Sequence, residues 1–190
     1  MTRKNFNQSV ITSPEGVKTP SVVMTDPAFA KRIINYFSPQ FSPNDTFLDP
    51  CAGFNAFFDN LPYPKDRCEI REGTDFLAYN TPATWIISNP PWHGIGYAPF
   101  AKHAYDLADH VVWLCRWDTL LGTGRRHRDY LEAGHKLAEI IMCDWKEANF
   151  TFLDGTPKAP EGFLLCVAHF SKLHQGDCKM TYWTKYAKRQ

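Results

Sequence analysis

The feature that most limits what this chain can fold into is the junction of Trp85-Ile86-Ile87-Ser88 with Asn89-Pro90-Pro91-Trp92. The first half is bulky and β-branched, as expected of a buried strand. Two consecutive prolines then remove the N–H groups that a ladder needs, so the strand stops there and passes the chain to a rigid turn.

The rest of the sequence reads as alternating helices and strands around that junction, with no internal repeat. Residues 1 to about 24 are expected to be irregular, and 25–190 to form a single domain. Asp26-Pro27 marks a helix start, with Asp as N-cap and Pro in the first helical position. Phe29, Ile33, Ile34 and Phe37 give that helix one apolar face, and Ser38-Pro39 and Ser42-Pro43 end it. Thr46-Phe47-Leu48 reads as a strand running into Asp49-Pro50-Cys51-Ala52-Gly53, with a short helix over Phe54 to Phe58. Cys68-Glu69-Ile70 reads as a second strand and Trp85 to Ser88 as a third. A helix from Pro99 to Asp109 feeds a strand from Val111 to Cys115, and a helix from Arg126 to Leu137 feeds another from Ala138 to Met142. Phe150–Leu153 and Phe163–Phe170, separated by a turn at Asp154-Gly155, read as antiparallel partners. The expected fold is α/β, with a mostly parallel sheet that finishes in a C-terminal antiparallel hairpin.

Composition narrows the class further. A chain of 190 residues, 44% hydrophobic and 22% charged, can bury one core without help from disulfides or metal. Cys51, Cys68, Cys115, Cys143, Cys166 and Cys178 include no Cys-x-x-Cys pair, and the seven histidines show no paired ligand spacing, so no metal site is expected. Reduced thiols, a polar N-terminus and the lack of a long apolar run point to a cytoplasmic protein that does not enter a membrane. A net charge of +1 does not announce a nucleic-acid binder, so local distribution matters. Arg125-Arg126-His127-Arg128 forms one basic place. The tail forms another, with Lys179, Lys185, Lys188 and Arg189 among Tyr182, Trp183 and Tyr186. Either reads equally as a set of phosphate contacts or as a solvated face.

In open α/β sheets, ligands lie beyond the carboxyl ends of the strands. Asp49, Glu69, Asp75 and Asn89 all fall there. The Asn-Pro-Pro-aromatic string suits attack by a planar, weakly nucleophilic nitrogen, such as the exocyclic amine of adenine. An Asn side-chain oxygen and a proline carbonyl can each accept one N–H, which orients the nitrogen lone pair. The prolines hold those acceptors in place, and Trp92 can stack on a base flipped out of its helix.

On these residues the chain resembles the S-adenosylmethionine-dependent amino-methyltransferases of class I fold, the family that includes the DNA adenine-N6 methyltransferases. Thr19 to Phe37, with Thr25-Asp26-Pro27, is similar to the segment packed on the methionine part of the cofactor. Asp49-Pro50-Cys51-Ala52-Gly53 resembles the glycine-rich first motif, Glu69 the acid for the ribose hydroxyls, and Asp75-Phe76 the pair that holds the cofactor adenine. Asn89-Pro90-Pro91-Trp92 matches the catalytic motif, and the order is gamma-like. The resemblance implies S-adenosylmethionine as cofactor, bound by Thr25, Asp49, Pro50, Ala52, Gly53, Glu69, Asp75, Phe76 and Asn89. It further implies methylation of adenine N6 in nucleic acid, DNA ahead of RNA, with Arg125, Arg126 and Arg128 as candidate phosphate contacts. Asp49 is expected to pair with the cofactor ammonium. Asn55 stands where the family has a second glycine. After Trp92 there is no room for a large target-recognition domain, so an oligomer or a specificity partner is one source of target choice. The rival readings are an N5-glutamine protein methyltransferase, an RNA adenine methyltransferase and a non-catalytic nucleic-acid-binding subunit.

Overall fold

The computed structural model describes residues 10–12, 18–20, 23–91, 97–121, 124–158 and 164–183. Its strands are β1 (Val10–Thr12), β2 (Lys18–Pro20), β3 (Val23–Met24), β4 (Phe47–Asp49), β5 (Lys65–Arg67) and β6 (Ala83–Ser88). They continue with β7 (Ala108–Arg116), β8 (Lys136–Cys143), β9 (Thr151–Phe152), β10 (Leu165–Ser171) and β11 (Lys179–Trp183). The helices are α1 (Pro27–Phe37), α2 (Tyr97–Leu107), α3 (Trp117–Leu121), α4 (Gly124–Glu132) and α5 (Trp145–Ala148).

Seven strands form the central sheet in the order β5-β4-β6-β7-β10-β8-β11. All are parallel except β10, which runs antiparallel to both β7 and β8. Side chains of the central strands alternate between its two faces. Trp85, Ile87, Val112 and Leu114 pack beneath α1 with Phe29, Ile33, Ile34 and Phe37. Ile86, Val111, Trp113 and Cys115 face α2 with Phe100, Ala101, Ala104 and Tyr105. Two buried layers on one sheet give the mixed α/β architecture that the sequence pattern implies.

The start of α1 follows its capping chemistry. Asp26 Oδ1 accepts from the N–H groups of Ala28 (2.7 Å) and Phe29 (3.2 Å), with Pro27 in the first turn. Other expectations are corrected. Within residues 1–24, β1 pairs antiparallel with β2, and β3 pairs with β9. Short strands of this kind leave no periodic signature, because tertiary pairing rather than an apolar face defines them. Phe54 to Phe58 forms turns followed by a 3₁₀ turn at Phe58–Asn60, with no α-helix. The second strand lies at Lys65–Arg67, ahead of Cys68-Glu69-Ile70. It is a charged edge strand whose main-chain pairing with β4 outweighs its composition.

The C-terminal hairpin is also rearranged. Phe150–Leu153 does not pair with the segment ending at Phe170, because β9 pairs with β3 while β10 inserts between β7 and β8. Lys179 to Trp183, read as part of a basic tail, is the parallel edge strand β11. Lys179 there meets Tyr36 Oη at 2.9 Å and Glu139 at 3.1 Å, and Trp183 packs on Phe29 and Tyr36. Lys185, Tyr186, Lys188 and Arg189 lie outside the described residues, as does Phe163.

Candidate active site

At the carboxyl ends of β4 and β6, two loops meet. The first runs from Asp49 to Asn55 and the second begins at Asn89. Asp49 is fully buried. Its Oδ1 accepts from Ser88 Oγ (2.6 Å) and weakly from Cys51 N–H (3.4 Å), and its Oδ2 accepts from Phe58 N–H (3.1 Å). Burial pushes its carboxyl up to about 6, although the bonds from Ser88, Cys51 and Phe58 oppose the rise. The Cys51 sulfur bridges the loops, 3.1 Å from both Ser88 Oγ and the Asn89 carbonyl oxygen, to which its thiol donates. Enclosure of that sulfur, and then the Asp49 charge, keep Cys51 protonated and able to donate.

Asp49 therefore shapes the loop from inside. Its carboxylate is enclosed and already accepts from three donors of the chain itself, Ser88, Cys51 and Phe58. Pro50 and Ala52 are buried beside it, and Ala52 N–H donates to Cys68 O at 2.9 Å. Gly53 takes φ +57°, and a Cβ placed there would lie 3.1 Å from Met24 Sδ. Asn55 adopts φ +66°, the left-handed conformation that a glycine would supply, and its short polar side chain is among the few that tolerate it.

Glu69 lies beyond β5 and is nearly enclosed. Its Oε2 accepts from Gly53 N–H (2.8 Å), and its Oε1 accepts from Arg71 N–H (3.2 Å) and Arg71 Nε (2.7 Å). Burial alone would raise its pKa, but the bonds from Arg71 and Gly53 outweigh it and hold the carboxyl below its ordinary value. A carboxylate has about four acceptor positions. Three are used here, which leaves Oε2 one further hydrogen bond to offer a ligand hydroxyl. Neither the Arg71 partnership nor the Gly53 bond is visible in the sequence spacing.

Asp75 is exposed and caps the following 3₁₀ turn through Leu77 N–H (2.9 Å). The Phe76 ring is buried against Phe100 and His103, with centroids 5.1 and 4.8 Å away.

Asn89 carries the sharpest geometry. Its Nδ2 donates to Thr25 Oγ1 at 3.1 Å, which fixes the amide plane. Its Oδ1 is buried and has no partner among the described residues. Pro90 is buried and Pro91 partly so, while Trp92 lies outside the described residues. The structure thus brings together Thr25, Asp49, Pro50, Ala52, Gly53, Glu69 and Asn89 around two loops. Ser88 and Cys51, for which no role was expected, tie those loops together.

The arginines divide. Arg126 Nη1 donates to the carbonyls of Asp118 (3.2 Å) and Thr119 in α3, and its guanidinium lies over the Tyr97 ring. That side chain is committed to packing α4 on its neighbours. Arg125 and Arg128 are exposed on α4.

No protein-family model and no curated sequence matches the chain. Solved structures do. One is a modification subunit assigned to a type I restriction enzyme from Vibrio vulnificus, with a TM-score of 0.59 and 13% identity over 89% of this chain and 48% of that one. The M protein of the type I restriction enzyme EcoKI has a TM-score of 0.56 and 13% identity, over 78% and 44%. Magnesium protoporphyrin IX methyltransferase from Synechocystis, solved with bound S-adenosylmethionine, has a TM-score of 0.53 and 10% identity, over 77% and 79%. The chain spans about half the length of the two restriction-system proteins. The fold is that of the class I Rossmann-like methyltransferases, with one antiparallel strand in a parallel sheet.

Proposed function

We propose that this chain transfers a methyl group from S-adenosylmethionine to the exocyclic N6 amine of adenine in DNA. The observation that carries this reading is the unpartnered Asn89 Oδ1, an acceptor buried at the carboxyl edge of the sheet while its Nδ2 is held by Thr25. A buried acceptor without a donor is unfavourable, so it marks a place where an external N–H belongs. The acidic Glu69 and Asp75 and the left-handed turn at Gly53 and Asn55 suit an adenosyl ligand with hydroxyl and amine donors.

When bound, S-adenosylmethionine supplies an electrophilic methyl carbon. The residues of the chain do the rest. Asn89 Oδ1 accepts one N–H of the target amine and the Pro90 carbonyl the other, turning the nitrogen lone pair out of conjugation and toward the methyl. As the N–C bond forms, the methyl–sulfur bond would break with its electron pair staying on sulfur, leaving S-adenosylhomocysteine, and one amine proton is then lost to solvent. Pro90 and Pro91 hold the acceptors, and Trp92 stacks on the base. Arg125 and Arg128 contact phosphates. One neighbour in fold is named as a modification subunit and another as the M protein of type I restriction enzymes, which favours DNA by analogy of architecture alone. A specificity partner would supply target recognition, and six unpaired cysteines suit the reducing cytoplasm.

The test is incubation with labelled S-adenosylmethionine and separate pools of DNA, RNA and protein, followed by nucleoside analysis. The expected product is N6-methyladenine in DNA, and Asn89→Ala should lower its formation at least about a hundredfold. Label in RNA alone, or on glutamine in protein, would replace this reading with one of its rivals.

A further inference from the structure

Thr25 holds the Asn89 side chain, and a different residue holds its main chain. The loop after β6 carries three oxygens within two residues: the Asn89 carbonyl, Asn89 Oδ1 and the Pro90 carbonyl. The two prolines that follow Asn89 have no N–H, so no main-chain donor follows those acceptors. Their orientation is set by donors from elsewhere in the chain. One is the Cys51 thiol, whose Sγ lies 3.1 Å from the Asn89 carbonyl oxygen and donates to it.

The same sulfur stands 3.1 Å from Ser88 Oγ. That hydroxyl has one hydrogen, and it is engaged with Asp49 Oδ1 at 2.6 Å. The thiol hydrogen is therefore the one left to serve the loop, and only a protonated thiol supplies it. Enclosure of the sulfur, and the Asp49 charge beside it, keep Cys51 in that form. With its carbonyl drawn to Cys51 and its Nδ2 bound to Thr25 at 3.1 Å, Asn89 keeps one buried oxygen, Oδ1, without a donor among the described residues.

We propose that Cys51 is a positioning residue for methyl transfer: its thiol holds the Asn89 carbonyl on the Asp49 side of the site, so that Asn89 Oδ1 and the Pro90 carbonyl are the two acceptors that meet the target amine. This rests on the methyl-transfer reading above. Thr25 fixes the side chain of Asn89 and Cys51 its main chain, and Cys51 acts on the reaction only through that loop. Without the thiol hydrogen the Asn89–Pro90 peptide plane is free to turn, and its carbonyl competes with Oδ1 for the incoming N–H.

The experiment compares Cys51→Ala and Cys51→Ser in the whole chain, with turnover measured on bulk DNA and S-adenosylhomocysteine binding measured by titration calorimetry. Cys51→Ala should lower kcat about fivefold to tenfold, the equivalent of one modest hydrogen bond, and leave S-adenosylhomocysteine affinity within about twofold. Cys51→Ser keeps a donor hydrogen and should recover most of that loss. A residue that only packs the loop would instead lose binding and turnover together, with no rescue by serine. Infrared spectroscopy gives a readout that needs no activity and no alanine variant: the S–H band that disappears in Cys51→Ser should lie at lower frequency than that of a thiol in water, as a hydrogen-bonded thiol requires. Full turnover in Cys51→Ala, equal losses of binding and turnover, or an S–H band at the free-thiol position overturns the assignment. If the unmutated chain methylates neither DNA, RNA nor protein, the functional reading itself fails, and the positioning role falls with it.

Discussion

Asn89 Nδ2 donates to Thr25 Oγ1 across 3.1 Å, joining residues 64 positions apart in the chain. In the proposed reaction, that bond fixes which end of the Asn89 amide meets the target amine. Without it the amide can rotate by half a turn and present a donor where an acceptor is needed.

Removing the hydroxyl should thus act on turnover more than on binding. Thr25→Val should lower kcat about tenfold, the equivalent of one modest hydrogen bond, while KM for S-adenosylmethionine changes little. Thr25→Ser keeps the oxygen and should stay close to the parent. Steady-state methylation of bulk DNA with labelled donor measures both, and a Val variant at full turnover would remove Thr25 from the site.

The enclosed Asp49 carboxyl titrates near 6, well above its value in an unfolded chain. A raised folded-state value means that the folded protein holds the proton more tightly. The resulting stabilisation is fully present below about pH 4 and is lost as the pH rises through 6. Asp49→Asn cannot titrate. Its stability relative to the parent should improve by about 2 kcal/mol between pH 4 and pH 7, on top of a constant loss from the changed Phe58 contact. Denaturant unfolding across that window checks it, and parallel profiles for the two proteins would contradict it.

On α4 the arginines should separate by experiment as they do by contact. Substituting Arg125 and Arg128 with Ala should leave unfolding unchanged. It should also reduce the slope of log affinity for duplex DNA against log salt by about 0.9 per lost phosphate contact. Arg126→Ala removes donors to the Asp118 and Thr119 carbonyls and should lower stability by about 1 kcal/mol without a matching change in slope. Salt-dependent binding and thermal unfolding on the same variants distinguish the two. If the double variant keeps its slope, Arg125 and Arg128 form a solvated face.

Much of the architecture was legible because period and punctuation agree. The capped start of α1 at Asp26-Pro27, and the strands that end near Asp49 and Ser88, follow from side-chain chemistry within a few residues. Pairings over long sequence distances were not legible. The strand from Leu165 to Ser171 is equally apolar whether it closes a hairpin or enters the middle of the sheet. Its placement between β7 and β8 is decided by which faces remain to be covered. Lys65–Arg67 and Lys179–Trp183 look polar because they are sheet edges, where one side meets solvent.

The same division runs through the site. Sequence alone determined that Asp49 and Asn89 stand at strand ends, because each closes a short apolar run that reads as a buried strand. Only the tertiary structure decided what each does there. Asp49 is enclosed by Ser88, Cys51 and Phe58, Glu69 is drawn to Gly53 and Arg71, and Asn89 is left with one free acceptor. Hydrogen-bond partners and desolvation are properties of three-dimensional neighbours. A one-dimensional pattern therefore names the groups at a site without fixing whether each turns inward to hold the fold or outward to meet a ligand.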